Sequence, residues 1–210
     1  LIVGYNGLGR LTGDETGSVG GGGGNGGSMW GETGWNRLLN SSFGAQASWL
    51  LPAAMALLVL GLVLRGRAPR TDRKRAAYLA WGGWLVVTAA AFSFGEGIIH
   101  EYYTVALAPA IGALVGMGAA DLWQRRGARW ARIAMAATVA GSGWWAWTLL
   151  HRTADWTPWL QPVVLFGSMA VAALLVFAPS LRGRGGAGVA AAAAAAPLPR
   201  PAAHSLPAAA

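Results

Sequence analysis

An all-α fold, a polytopic transmembrane helical bundle of about five spans, is what this sequence predicts, and three observations carry the prediction. The first is composition: 54% of the 210 residues are hydrophobic and only 11% charged, against about 25% charged in an ordinary soluble domain. The second is a recurrence of uncharged apolar stretches long enough to cross a bilayer. The third is that the basic residues gather at alternate ends of those stretches.

Residues 1–46 are polar and Gly-rich, most densely over 17–34. So permissive a backbone loses much entropy on ordering, which predicts an outer loop rather than a domain. It is no phosphate cradle: no Lys followed by Ser or Thr closes it, and Gly7-Leu8-Gly9-Arg10-Leu11-Thr12 has Thr where a dinucleotide fingerprint needs its third Gly. The stretch 47–64 is uncharged. As a helix it would measure about 27 Å at ~1.5 Å per residue, close to the ~30 Å hydrocarbon core. Stretches 77–94, 104–120, 133–150 and 162–181 repeat the pattern, giving a transmembrane domain over 47–182. Backbone amides in hydrocarbon must bond within their own segment, and no strict alternation marks barrel strands, so helices are expected. Pro109, inside the third stretch, is expected to bend its helix. Gly112 and Gly116, four apart, offer a smooth face for close helix contact. Beyond 182 the chain is Gly, Ala and Pro. Seven alanines at 190–196 are too few to meet the nucleation cost of an isolated helix in water, so 183–210 is expected to be a disordered cytoplasmic tail, with His204 incidental.

Orientation follows from charge. Of the 16 Lys and Arg, all but Arg10, Arg37, Arg152 and Arg200 lie in 65–75, in 125–132, or at Arg182 and Arg184. With those clusters in the cytoplasm, 1–46, 95–103 and 151–161 face outward. All acidic residues except Asp72 and Asp121 then lie outside as well. Trp49, Trp144, Trp145, Trp147, Trp156 and Trp159 form an outer aromatic belt, and Trp81, Trp84, Trp123 and Trp130 an inner one. The net charge of +8 is therefore topological. A nucleic-acid groove would interleave basic residues with polar and aromatic ones on one surface, and that partner is excluded. There is no Cys, hence no disulfide and no thiolate metal site; neither metal nor cofactor is expected. No predicted span holds an ionisable residue in its interior, which disfavours an ion-coupled transporter made of these helices alone.

Chemistry is concentrated in the outer turn Glu96-Gly97-Ile98-Ile99-His100-Glu101-Tyr102-Tyr103-Thr104. Two carboxylates, an imidazole and two phenols would lie just above the hydrocarbon. His100 and the hydroxyls of Tyr102 and Tyr103 could bind phosphate oxygens, and Glu101 could accept hydrogen bonds from a sugar. The alternative is that the two tyrosines anchor the interface and His100 is a solvated loop residue.

Four blocks bear on that choice: Gly4-Tyr5-Asn6-Gly7-Leu8-Gly9-Arg10-Leu11-Thr12-Gly13, Asn36-Arg37-Leu38-Leu39-Asn40, Gly44-Ala45-Gln46-Ala47-Ser48-Trp49-Leu50-Leu51-Pro52, and above all His100-Glu101-Tyr102-Tyr103-Thr104-Val105-Ala106-Leu107-Ala108-Pro109-Ala110. In this order, over 1–182 and skipping the Gly-rich insert, they resemble a bacterial family. It comprises the membrane glycosyltransferases related to the protein O-mannosyltransferases and the aminoarabinose transferase of lipid A (glycosyltransferase family 39-like), especially an actinobacterial mannosyltransferase branch. That pattern often has Pro after the His, where this chain has Glu101. The resemblance implies a GT-C architecture that moves a sugar from a polyprenyl-phosphate carrier to an acceptor outside the membrane. A carboxylate in the family's first outer loop acts as base on the acceptor hydroxyl, and the lipid phosphate departs with inversion at the sugar carbon. Nothing here matches that acidic loop, so the catalytic base is left unassigned, Asp14-Glu15 included. Arg37, Gln46, His100, Tyr102 and Tyr103 are the residues whose position implies carrier binding.

The chain opens Leu1-Ile2-Val3 and shows no signal-peptide pattern. The expectation is the C-terminal membrane portion of a glycosyltransferase, inactive alone, with membrane lipid, a polyprenyl-phosphate sugar and an N-terminal transmembrane half as partners. The alternative expectation is a non-catalytic multi-pass membrane scaffold or transporter subunit.

Overall fold

The computed structural model describes residues 33–96, 99–153, 155 and 157–194. Outside these lie most of the predicted loop 1–46, Gly97 and Ile98 of the polar turn, Trp156 of the outer belt, and 195–210 of the predicted tail. Every regular element among the described residues is helical, so the all-α class holds. The chain forms two units, Leu1–Val176 and Phe177–Ala210.

The first unit opens with a 3₁₀ turn at Arg37–Leu39 and a one-turn helix α1 (Gly44–Ala47). There follow α2 (Leu51–Arg65), α3 (Arg73–Phe94), a 3₁₀ segment at Glu101–Leu107, α4 (Ala108–Gln124), α5 (Arg129–His151) and the beginning of α6 (Leu160–Ala194). In the second unit the described backbone is helical to Ala194 as the later part of α6. Disorder was the expectation from 183 onward. Of the alanine run, Ala190–Ala194 fall within the described part of the helix begun at Leu160.

The predicted stretches 77–94, 133–150 and 162–181 lie within α3, α5 and α6, while 47–64 begins at the end of α1 and continues into α2, and 104–120 runs from the 3₁₀ segment into α4. Among the described residues three helical stretches are long and apolar enough to cross a membrane, Arg73–Phe94, Glu101–Gln124 and Leu160–Phe177, while Leu51–Arg65 is a shorter apolar helix. Helix α5 has 23 residues, but its Trp, Gly, Ser and Thr residues dilute the aliphatic ones and it does not join the three. Val59, Val63, Val87, Ile133, Val163 and Phe166 are all more than half exposed. Helices apolar on their outward faces as well as their packed ones are suited to hydrocarbon and not to water. The chain is a membrane protein.

Local sequence explains the element ends. Asp72 caps α3, its Oδ1 accepting from the Arg75 N–H at 2.6 Å. Pro52 and Pro109 occupy the first turns of α2 and α4. Pro109 therefore stands in the first turn of α4 and not inside a helix: the 3₁₀ segment ends at Leu107, and its missing N–H falls where a helix has no partner for one. Helix α4 packs against α2, α3 and α5. One core cluster gathers Phe43, Leu51, Leu58, Tyr78, Leu85, Leu107 and Leu114, and a second gathers Leu57, Leu122, Ala131 and Met135. Close approach depends on other glycines than the predicted pair. A Cβ at Gly61 would strike the Tyr78 ring, and one at Gly82 or Gly118 would strike Leu58 or Leu57, whereas one at Gly112 or Gly116 would meet nothing.

At the arginine-rich end α4 runs on past the predicted stretch and carries Asp121, 2% exposed. Lys74 Nζ reaches its Oδ1 at 2.7 Å, Arg65 Nη2 at 3.4 Å and Arg125 Nη1 at 3.7 Å. The Tyr78 hydroxyl donates to Oδ2 at 3.3 Å. One carboxylate thus ties α2, α3 and α4, together with the residue after α4, into a single ionic knot.

Candidate functional site

At the opposite, aromatic end, the segment 33–50 folds over the helix ends. Gly34 N–H donates to Ser93 O at 2.8 Å, and Arg37 Nη1 donates to Phe92 O at 3.2 Å and to Gly95 O at 2.5 Å. These bonds satisfy carbonyls that the last turn of α3 leaves without an intrahelical partner. Arg37 is 1% exposed, and its guanidinium lies 5.0 Å over the Phe43 ring. Burial lowers its pKa from the ordinary arginine value. Its side chain is a brace within the fold.

Helix α1, which carries Gln46, packs on the Glu101–Leu107 segment. Gln46 itself is exposed. His100 precedes the segment in extended conformation, and Tyr103 N–H donates to its carbonyl at 3.1 Å. The Thr104 hydroxyl closes the turn by donating to Glu101 O at 2.6 Å. This tight winding brings three rings together. His100 and Tyr102 stack at 5.2 Å between centroids with planes 14° apart, and Tyr103 meets Tyr102 edge-on at 4.6 Å and His100 at 5.7 Å. Tyr102 is 62% exposed, and His100 and Tyr103 are half-buried. The trio combines an apolar body with three polar tips.

Of the predicted site residues, then, the structure brings His100, Tyr102 and Tyr103 into one cluster, sets the element of Gln46 against the same segment, and turns Arg37 inward. Two other residues were not foreseen. Arg152 donates Nη1 to Asn40 O at 2.6 Å and Nη2 to Leu39 O at 2.9 Å, fastening the end of α5 to the 33–50 segment. Trp145 Nε1 donates to Ser48 O at 2.9 Å. The signal for Arg152 was its solitary place on the side that the charge bias leaves poor in cations. Trp84, expected in the inner belt, reaches Ala106 O at 3.1 Å. Helix α3 starts at Arg73, which carries Trp84 roughly 16 Å along the axis at ~1.5 Å per residue. No group of three His, Asp or Glu that could hold a metal occurs among the described residues.

A membrane helical bundle with a polar aromatic cluster at one end is the class defined so far, and comparison with known proteins narrows it. The chain is 39% identical over 90 residues to "Putative mannosyltransferase YycA" of Bacillus subtilis (strain 168), covering 42% of this chain and 13% of that protein. It is 32% identical over 149 residues to "Putative mannosyltransferase YkcB" of the same organism, covering 67% of this chain and 20% of that protein. These likenesses support a glycosyltransferase-like family. The matched region spans a fifth or less of either relative's length. No family model matches the chain, and no solved structure matches it.

Proposed function

We propose that this chain is the C-terminal membrane portion of a multi-pass glycosyltransferase of the cell membrane, of the family 39-like, GT-C type. The full protein moves a mannose-like sugar from a polyprenyl-phosphate carrier to an acceptor on the outer face. Residues 1–46 form an outer loop, 47–182 the membrane domain, and 183 onward a cytoplasmic tail. The observation that carries the reading is the ring cluster of His100, Tyr102 and Tyr103 at one end of an apolar bundle. The likeness to two proteins named as mannosyltransferases supports it from a separate direction.

In this reading the ring trio and Gln46 receive the carrier's phosphate and first isoprene unit, and Arg37 fixes the turn from behind. The phosphate is the leaving group, so donors aimed at its oxygens act most strongly as the bond to the sugar breaks. The base that takes the acceptor's proton belongs to the rest of the protein. The test is to reconstitute the full-length protein in vesicles with a polyprenyl-phosphate mannose and follow transfer. His100→Ala and Tyr103→Ala are expected to raise the donor KM by about ten-fold, the size of one charge-assisted hydrogen bond. Absence of transfer from any such donor would favour the scaffold alternative. Transfer with donor KM and kcat both unchanged in the two variants would remove the ring cluster from the site.

A further inference from the structure

Between α2, α4, α5 and residues 168–175 of α6 the bundle is not closed. A cavity of about 790 Å³ opens there, with Trp49 and Leu50 toward the aromatic end, Leu57, Ala119 and Ser142 along its walls, and Trp123 toward the arginine-rich end. Along α5 it runs from Met135 to Ala146, about 16 Å at ~1.5 Å per residue. Its lining is almost wholly apolar. Two of its hydroxyls are turned back on their own helices: Thr138 donates to Ala134 O and Ser168 to Leu165 O, each at 2.8 Å. A ligand here would have to be hydrocarbon.

The open slot, about 16 Å long along α5 at ~1.5 Å per residue, suits an extended hydrocarbon chain, and charge says what such a chain would carry. At the Trp123 end the Arg126 guanidinium stands 4.9 Å over the Trp123 ring, with Nη1 donating to Trp123 O at 3.0 Å. Arg126 and Arg129 are both exposed. Among the described residues the carboxylate of Asp121 is taken by Arg65, Lys74 and Arg125, and neither Arg126 nor Arg129 joins an ion pair. An apolar slot that opens beside the Arg126 guanidinium, with Arg129 three residues further along at the start of α5, fits a hydrocarbon tail carrying an anionic phosphate.

We infer that this groove binds an acyl chain of an anionic phospholipid, whose phosphate rests against Arg126 and Arg129 in the leaflet that borders the basic loops. The inference does not rest on the proposed carrier site: Arg126 and Arg129 lie at the opposite end of the bundle from the ring cluster. Native mass spectrometry of the full chain, released from micelles after titration with dioleoyl phosphatidylglycerol or dioleoyl phosphatidylcholine, tests it. Phosphatidylglycerol should bind at least five-fold more tightly, and Arg126→Gln should remove about five-fold of that preference. Ala119→Phe and, separately, Ser142→Leu, both at the open wall, should lower retention of either lipid several-fold. Equal affinity for the two lipids would overturn the assignment of charge. A charge preference indifferent to both wall substitutions would overturn the groove, leaving surface adsorption. Displacement of phosphatidylglycerol by an equal concentration of undecaprenyl phosphate would make the groove the carrier's, and a dimer in place of a lipid-bound monomer would make it a protein interface.

Discussion

At the arginine-rich end, three cations and a phenol converge on Asp121. At the aromatic end, Arg37 and Arg152 donate to the carbonyls of residues 92, 95, 39 and 40. The first device ties helices through one buried charge and tolerates changes in angle, since a carboxylate accepts from several directions. The second reads backbone position, because a planar guanidinium must meet carbonyls of fixed spacing. Helix register is thus held at one end. At the other, a loop layer is fixed in place so that the ring cluster above it can remain partly open. Substitutions that separate the two devices should differ in size and in what they disturb.

The largest effect is expected at Asp121. Asp121→Ala leaves the Tyr78 hydroxyl and the Arg65 guanidinium, whose side chain is only 19% exposed, without their shared acceptor, and should cost about 3 kcal/mol. Asp121→Asn keeps a carbonyl oxygen for Lys74 and Tyr78 and should recover part of it. Unfolding in mixed micelles with increasing denaturing detergent would measure both. A loss below about 0.5 kcal/mol for the alanine variant would mean that the cations find water instead and that the knot holds nothing.

Next come the braces. Arg37→Met removes two charge-assisted bonds from a side chain that is 1% exposed and should cost about 2 kcal/mol. Hydrogen exchange should quicken at the C-terminal turn of α3 and leave the α2 to α4 contacts protected. Arg152 is exposed, so Arg152→Met should cost about 1 kcal/mol at most. Equal exchange throughout the bundle in the Arg37 variant would erase the distinction between the two ends. A contrast of similar size separates two glycines. Gly61→Leu forces a side chain into the Tyr78 ring and should cost about 1–3 kcal/mol. Gly112→Leu enters open space and should stay within about 0.5 kcal/mol.

That contrast marks how much could be read from sequence. Helix positions were legible because the solvent acts on whole stretches: uncharged runs at 77–94 and 162–181 lie within α3 and α6 irrespective of neighbours. Which glycine is a contact was not, since Gly61 and Gly112 differ only in what stands opposite, and that depends on how α2 meets α3. Pro109 was misplaced by a reading that carried one continuous helix through 104–120; the 3₁₀ winding of Glu101–Leu107 moves the helix start to its doorstep. At the candidate site, His100, Tyr102 and Tyr103 were legible as a cluster because they are adjacent in the chain. Arg37 was legible as unusual but not as a brace, because the carbonyls it meets lie 55 and 58 residues away.

Tyr102→Phe should be the least disturbing change to the fold and the most specific to the site. The ring keeps its stack on His100 at 5.2 Å and loses only a hydroxyl on a side chain that is 62% exposed. Stability should therefore move by less than about 0.5 kcal/mol. If that hydroxyl donates to a carrier phosphate, the loss of one bond to a charged group should raise the donor KM about ten-fold, with kcat held where the bond forms equally in ground and transition states. A fall in kcat at constant KM would place the hydroxyl instead on charge that develops as the phosphate leaves. No change in either would leave the tyrosine as an interface anchor, and the aromatic end would then differ from the arginine-rich end in architecture alone.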